Sequence, residues 1–175
     1  MKKIAGFTLI EMLIVLAILA IIATLTAPAL GLIVEKNAIR SVAERIKTDL
    51  QWTRTEAIKS RQDLTISFQQ TGACYGIDTE PCDCTVQSSC KLKSVEPFLN
   101  HSTIRFSNIV FFQPPYTKLK FDYRRGTTLN NGSLTIKNES NNYALNIRVG
   151  KAGRIKICDD STTPYAVNNY APCNP

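Results

Sequence analysis

The chain has 175 residues, 44% hydrophobic and 20% charged, the profile of one compact domain, which excludes a disordered tail and a multidomain enzyme. Its net charge is +7, from 21 Lys and Arg against 14 Asp and Glu, with six Cys and a single His. The basic excess points to an anionic partner without identifying one.

The apolar content is concentrated near the start. Residues 12–34 are 23 positions without a charge, bounded by Glu11 and Glu35, and 19 of them are apolar. A cleavable secretory signal has a core of roughly 7–15 apolar residues followed by a small-residue cleavage site. This run is longer, and Pro28 and Gly31 near its end make no such site. A transmembrane helix of about 20 residues fits the length. Lys2 and Lys3 in front of it favour a cytoplasmic N-terminus, which sends the rest of the chain to a compartment where disulfides persist.

Residues 1–11 read MKKIAGFTLIE: a short basic leader, Gly6, Phe7, and then Glu11 at the head of the hydrophobic run. A carboxylate in a lipid-embedded helix costs about 2.5–3.5 kcal/mol at its worst depth, so it is kept where it has a partner or a task. The competing reading is an interfacial Glu that only marks the start of the span. The segment resembles the type IV prepilin signature. The resemblance implies that a prepilin peptidase cuts between Gly6 and Phe7 and methylates the new N-terminus at Phe7. It also implies that Glu11, four residues further on, pairs with the N-terminal amine of a neighbouring pilin during filament assembly.

Beyond Glu35, the residues Ile39, Val42, Ala43, Ile46, Leu50, Thr53 and Ala57 recur at three- and four-residue steps, with charged residues elsewhere on the wheel. The helix is therefore expected to continue with one packing face, its seven basic residues from Lys36 to Arg61 forming a solvated face. Pro28 and Gly31 predict a kink or local unwinding. After Arg61 the period changes to alternation, with Leu64, Ile66 and Phe68 on one face of a strand. Further strands are expected at 104–112, 118–123, 133–137, 143–149 and 154–158, with Asn131-Gly132 as a hairpin turn and Gly126 and Gly150 punctuating other connections. The expected class is α+β: a long helix followed by one antiparallel sheet or two small ones. Its segments are a leader at 1–6, a membrane and assembly helix at 7–35, an amphipathic helical half at 36–62 and a β-sheet domain at 63–175.

The six cysteines are Cys74, Cys82, Cys84, Cys90, Cys158 and Cys173. A Cys158–Cys173 bridge would tie down a Pro- and Asn-rich tail and, for a loop of that length, contribute about 3 kcal/mol. The other four allow three connectivities as two bridges; a four-Cys zinc site is the rival, though the paired C-x-x-C spacing is missing. His101, the one histidine, lies in a polar stretch without a nucleophile signature, so no catalytic residue, metal site or cofactor is expected.

The order Phe121-Asp122, Arg125-Gly126-Thr127, Asn131-Gly132-Ser133-Leu134-Thr135-Ile136, Ala144-Leu145-Asn146-Ile147-Arg148-Val149 and Gly153-Arg154-Ile155 resembles the C-terminal half of the GspH/FimT/FimU family of minor pilins and pseudopilins. That resemblance implies a lollipop: a long N-terminal helix, half in the membrane and half packed on a C-terminal antiparallel sheet domain. Residues 105–156 hold ten Lys and Arg against Asp122 and Glu139. Arg148, Lys151, Arg154 and Lys156 would cluster at one end of the sheet if the last strands form a hairpin around Gly150, where they could meet a phosphate backbone. FimT proteins implicated in DNA uptake carry a GRxR motif, which Gly153-Arg154-Ile155-Lys156 matches except for the final lysine; lysine keeps the charge but loses bidentate geometry. Asp159 and Asp160 would oppose an anion unless the Cys158–Cys173 loop turns them away, and the bland alternative is ordinary solvated charge.

Three readings compete: a minor pilin that is processed and built into a type IV pilus or its tip, a DNA-binding minor pilin serving natural transformation, and a type II secretion minor pseudopilin serving protein export. The partners implied are other pilins, the prepilin peptidase, the inner membrane before assembly, and double-stranded DNA through its backbone. The implied location is the inner membrane with a periplasmic globular domain, then the pilus or cell surface.

Overall fold

The computed structural model describes residues 7–70, 72–95, 104–111, 117–129, 131–160, 163–167 and 170–173, without the side chains of 25–29. Gly6, His101 and Phe112 lie outside the described residues.

Thr8 starts the first element. Its Oγ1 accepts the Glu11 N–H at 3.3 Å, the Thr-x-x-Glu arrangement that satisfies an orphan donor at a helix start. Helix α1 then runs Leu9–Ser60. No unwound residue interrupts it at Pro28 or Gly31, contrary to the local unwinding expected there. Proline removes one ladder bond but has a helical φ, and the many turns on either side propagate cooperatively past it. The helix ends at Arg61, which takes φ 56° while the Gln62 N–H reaches back to the Ala57 carbonyl at 3.3 Å, a Schellman closure.

The chain divides into two compact units, Met1–Lys36 and Asn37–Pro175. In the first, the large apolar side chains described between Phe7 and Val34 are all exposed. Among the described residues no helix is long and apolar enough to cross a membrane; the uncharged run of the sequence includes residues 25–29, whose side chains are outside that set.

In the second unit Ile39, Val42, Ala43, Ile46, Leu50, Thr53 and Ala57 are all buried. Among the described residues they share a core with eight strands: β1 Leu64–Gln69, β2 Cys74–Asp78, β3 Lys93–Val95, β4 Ile104–Phe111, β5 Lys118–Phe121, β6 Gly132–Asn138, β7 Ala144–Val149 and β8 Ile155–Asp159. They form two antiparallel sheets, ordered β3-β2-β1-β5 and β4-β6-β7-β8. Phe68 of β1 bridges them, stacking on Phe111 of β4 at 5.5 Å and meeting Phe106 edge-on at 6.2 Å.

Two strands, β2 and β3, are additions to the expected set, and one expected turn is corrected. Asn131-Gly132 is not a hairpin turn, because β5 and β6 belong to different sheets. Gly132 opens β6 opposite Phe111, where a Cβ would fall 1.8 Å from the Phe111 ring. Close approach of a ring, not turn geometry, requires glycine there.

Asp49, nearly buried on α1, joins helix to sheet. Its carboxylate accepts the Tyr75 hydroxyl at 2.5 Å and pairs with Lys93 at 2.6 Å. Burial, and then the hydrogen bond to Asp49 and its charge, push the Tyr75 hydroxyl far above its ordinary pKa, so it remains a donor. Disulfides Cys74–Cys84 and Cys82–Cys90 interleave across the β2–β3 connection. A third, Cys158–Cys173, holds the tail along β8, where the Asp159 N–H donates to the Ala171 carbonyl at 2.9 Å and the Cys173 N–H to the Asp159 carbonyl at 3.0 Å.

Candidate functional site

Strands β7 and β8 form a hairpin whose turn is residues 150–154. The Gly150 N–H donates to the Arg154 carbonyl at 2.9 Å, one step beyond the Val149–Ile155 pair, and the Gly153 N–H donates to the Gly150 carbonyl at 2.8 Å. A second loop grips this turn. The Thr128 N–H donates to the Lys151 carbonyl at 2.9 Å, the Thr128 hydroxyl to the Gly150 carbonyl at 3.2 Å, and the Lys151 N–H to the Asn131 Oδ1 at 2.9 Å. The main chain beneath the basic residues is thus fixed from two sides.

The register brings the four basic candidates together at this end. Ile109, Leu134, Ile147 and Ile157 pair across β4, β6, β7 and β8 on the core face. One step along, Val110, Ser133, Arg148 and Lys156 pair across the same strands on the other face. Arg148 and Lys156 are direct cross-strand partners, which sets two positive charges side by side on that face. Lys151 and Arg154 are exposed in the turn itself. Among the described residues no carboxylate lies within ion-pair distance of Lys151, Arg154 or Lys156.

Two other basic residues of the segment are engaged in ion pairs. Arg105 pairs with Glu139, and Lys120 with Asp63 at 2.9 Å. The hydrogen bond from Lys120, joined by the Tyr123 N–H and the charges of Lys120 and Arg124, outweighs slight burial and holds the Asp63 carboxyl below its ordinary range. Asp159 is buried at the far end of β8, about 13 Å of strand from the turn, with its Oδ1 accepting the Val167 N–H at 3.2 Å. Its carboxylate does not face the patch.

At the other end of the chain, Phe7 is exposed and Glu11 is an exposed residue in the first turn of α1. Among the described residues no group of His, Cys, Asp and Glu could hold a metal ion. Sequence reasoning assigned Arg54 to a solvated face and Asn131 to a turn, and did not single out Thr128. All three meet the β7–β8 turn from distant parts of the chain, and no local pattern announces such contacts.

A capped apolar helix whose second half is buried against paired antiparallel sheets defines the type IV pilin class of fold. The family model described as type II transport protein GspH matches residues 42–153, and the prokaryotic N-terminal methylation motif matches residues 1–27. The chain belongs to the GspH family, whose members are minor pilins and pseudopilins. Two crystal forms of the type IV minor pilin FimU of Pseudomonas aeruginosa are similar in fold. One has a TM-score of 0.55 at 20% identity, covering 76% of this chain and 97% of FimU. The other has a TM-score of 0.51 at 19% identity, covering 73% of this chain and 98% of FimU. No curated protein matches the sequence.

Proposed function

We propose that the chain is a minor type IV pilin, cut between Gly6 and Phe7 by prepilin peptidase, methylated at Phe7, anchored in the inner membrane and built into a pilus or its tip. The observation that carries this reading is an N-terminal methylation motif leading a helix whose described apolar side chains are exposed in every direction up to Val34. An all-round apolar helix needs lipid or other helices around it. Glu11 then pairs with a neighbouring subunit's N-terminal amine, removing two charges from apolar surroundings at once. Mass spectrometry of the mature protein should find an N-methylated chain beginning at Phe7; a mature chain beginning at Met1 overturns the reading.

The globular domain, in this proposal, binds double-stranded DNA for uptake in transformation. Support comes from Arg148, Lys151, Arg154 and Lys156 at one end of one sheet, with like charges set directly opposite each other. Contact is through phosphates and indifferent to base sequence. Full-length protein in detergent micelles should bind a labelled duplex with affinity that falls steeply with salt. Arg154→Ala/Lys156→Ala should weaken it and reduce the slope of log affinity against log salt by about 2, near 0.9 per lost contact. No binding by wild type at low salt refutes this function. A second reading, a type II secretion pseudopilin serving export, is favoured by the description of the matching family as a type II transport protein. A deletion strain that loses secretion but keeps pili and transformation would establish it.

A further inference from the structure

Arg54 does something on α1 that a solvated arginine does not. Its side chain runs between two glycines of positive φ, Gly126 at 60° and Gly153 at 71°. A Cβ on Gly126 would meet Arg54 Cγ and Nε at 2.9 Å, and one on Gly153 would meet Arg54 Nε at 2.9 Å. A side chain at either place would crowd the arginine, together with Ile58 at Gly126 and the Gly126 carbonyl at Gly153. Its Nε is sealed from solvent with no hydrogen-bond partner, and among the described residues no carboxylate lies within ion-pair distance of the guanidinium. The Nε N–H has thus given up its hydration without a replacement acceptor, while the side chain as a whole is only half-buried, which leaves the guanidinium suited to an anionic acceptor. Beside it is a cavity of about 360 Å³ lined by Gln51, Arg54, Ala152, Gly153, Arg154 and Ile155. Among the described residues its lining holds two arginines and an amide, from α1 and from the β7–β8 turn, and no acid.

We propose that this cavity is a phosphate seat: Arg54 from α1 and Arg154 from the turn hold one phosphodiester of a bound duplex, so that the DNA-contacting surface extends from the hairpin onto the helix. The inference rests on the DNA reading of the β7–β8 turn and adds a contact 100 residues away in sequence. A guanidinium suits the task because its planar fork can meet two phosphate oxygens at once.

Full-length protein in detergent micelles is titrated with a labelled duplex across a salt series, as wild type, Arg54→Gln, Arg54→Lys and Arg154→Ala/Lys156→Ala. Arg54→Gln should bind about tenfold more weakly, with a salt slope lower by about 0.9. Arg54→Lys should keep the slope and bind less tightly than wild type. Inorganic phosphate at fixed ionic strength should displace the duplex from wild type more readily than from Arg54→Gln. Equal displacement, or wild-type affinity in Arg54→Gln while Arg154→Ala/Lys156→Ala is impaired, overturns the seat and leaves the turn's role standing. If Arg54→Gln does not fold, wild-type affinity in Arg54→Lys overturns it. A wild type that binds no duplex removes the DNA reading and this seat together.

Discussion

Gly76→Ala should leave Cys82 and Cys90 as free thiols in a chain whose wild type has no free cysteine among the described residues. Gly76 sits at the centre of β2, paired with Ser67 of β1 on one side and Ser94 of β3 on the other. A Cβ there would fall 2.0 Å from Cys90 Sγ, 2.8 Å from Cys82 Sγ and 3.0 Å from Cys90 Cβ. The clash cannot be relieved by a rotamer change, since each sulfur is covalently tied to the other. Nor can β2 slide away, because it is hydrogen-bonded along both edges. The bridge is therefore the part that yields. Closing a loop of that size contributes about 2.5 kcal/mol in the chain-entropy model. In a domain of this length the loss corresponds to a fall in melting midpoint of roughly 5–10 °C. Thiol titration of the denatured, non-reduced protein should find two thiols in the variant; none, with an unchanged melt, would show that the bridge and β2 can separate.

The same strand explains where sequence reading stops. The packing face of α1 was legible because Ile39, Val42, Ala43, Ile46 and Leu50 repeat with the helical period and only one face of the helix is buried. Strands β4 and β7 were legible for the corresponding reason, since each alternates between more and less buried positions over much of its length. Strand β2 has no such alternation. All five of its residues are buried, Tyr75 reaching Asp49 of the helix and Gly76 lying under a disulfide, so Cys-Tyr-Gly-Ile-Asp carries no period to read. At the candidate site, Arg148, Lys151, Arg154 and Lys156 could be seen as a basic run around Gly150. Asn131 could not, because its side chain serves the Lys151 N–H twenty residues on, and the dipeptide it forms with Gly132 imitates a hairpin turn. Arg54 carried the periodicity of an ordinary helical surface position, and its surroundings exist only once Gly126 and Gly153 are folded against it.

Two glycines three residues apart in the β7–β8 turn should respond in opposite ways to the same change. Gly153→Ala should cost about 2 kcal/mol or more, and Gly150→Ala should stay within about 0.5 kcal/mol of wild type. Gly153 has φ 71°, and a Cβ there would fall 2.2 Å from the Gly126 carbonyl oxygen and 2.9 Å from Arg54 Nε. Left-handed backbone alone costs an L residue roughly 1–2 kcal/mol, and the carbonyl is backbone that cannot rotate aside. Gly150 is not left-handed, and the atom nearest its added Cβ is the Arg154 carbonyl oxygen at 3.9 Å, an ordinary contact. The consequence reaches the proposed function. Relieving the Gly153 clash means moving the turn off Gly126, and Lys151 and Arg154 move with it. Duplex affinity should therefore fall in Gly153→Ala although no charge has been removed, and hold in Gly150→Ala. Thermal melts and duplex titrations of the two variants check both halves. A Gly153→Ala protein that melted and bound like wild type would mean that the turn's contacts with Gly126 and Arg54 do not position its basic residues.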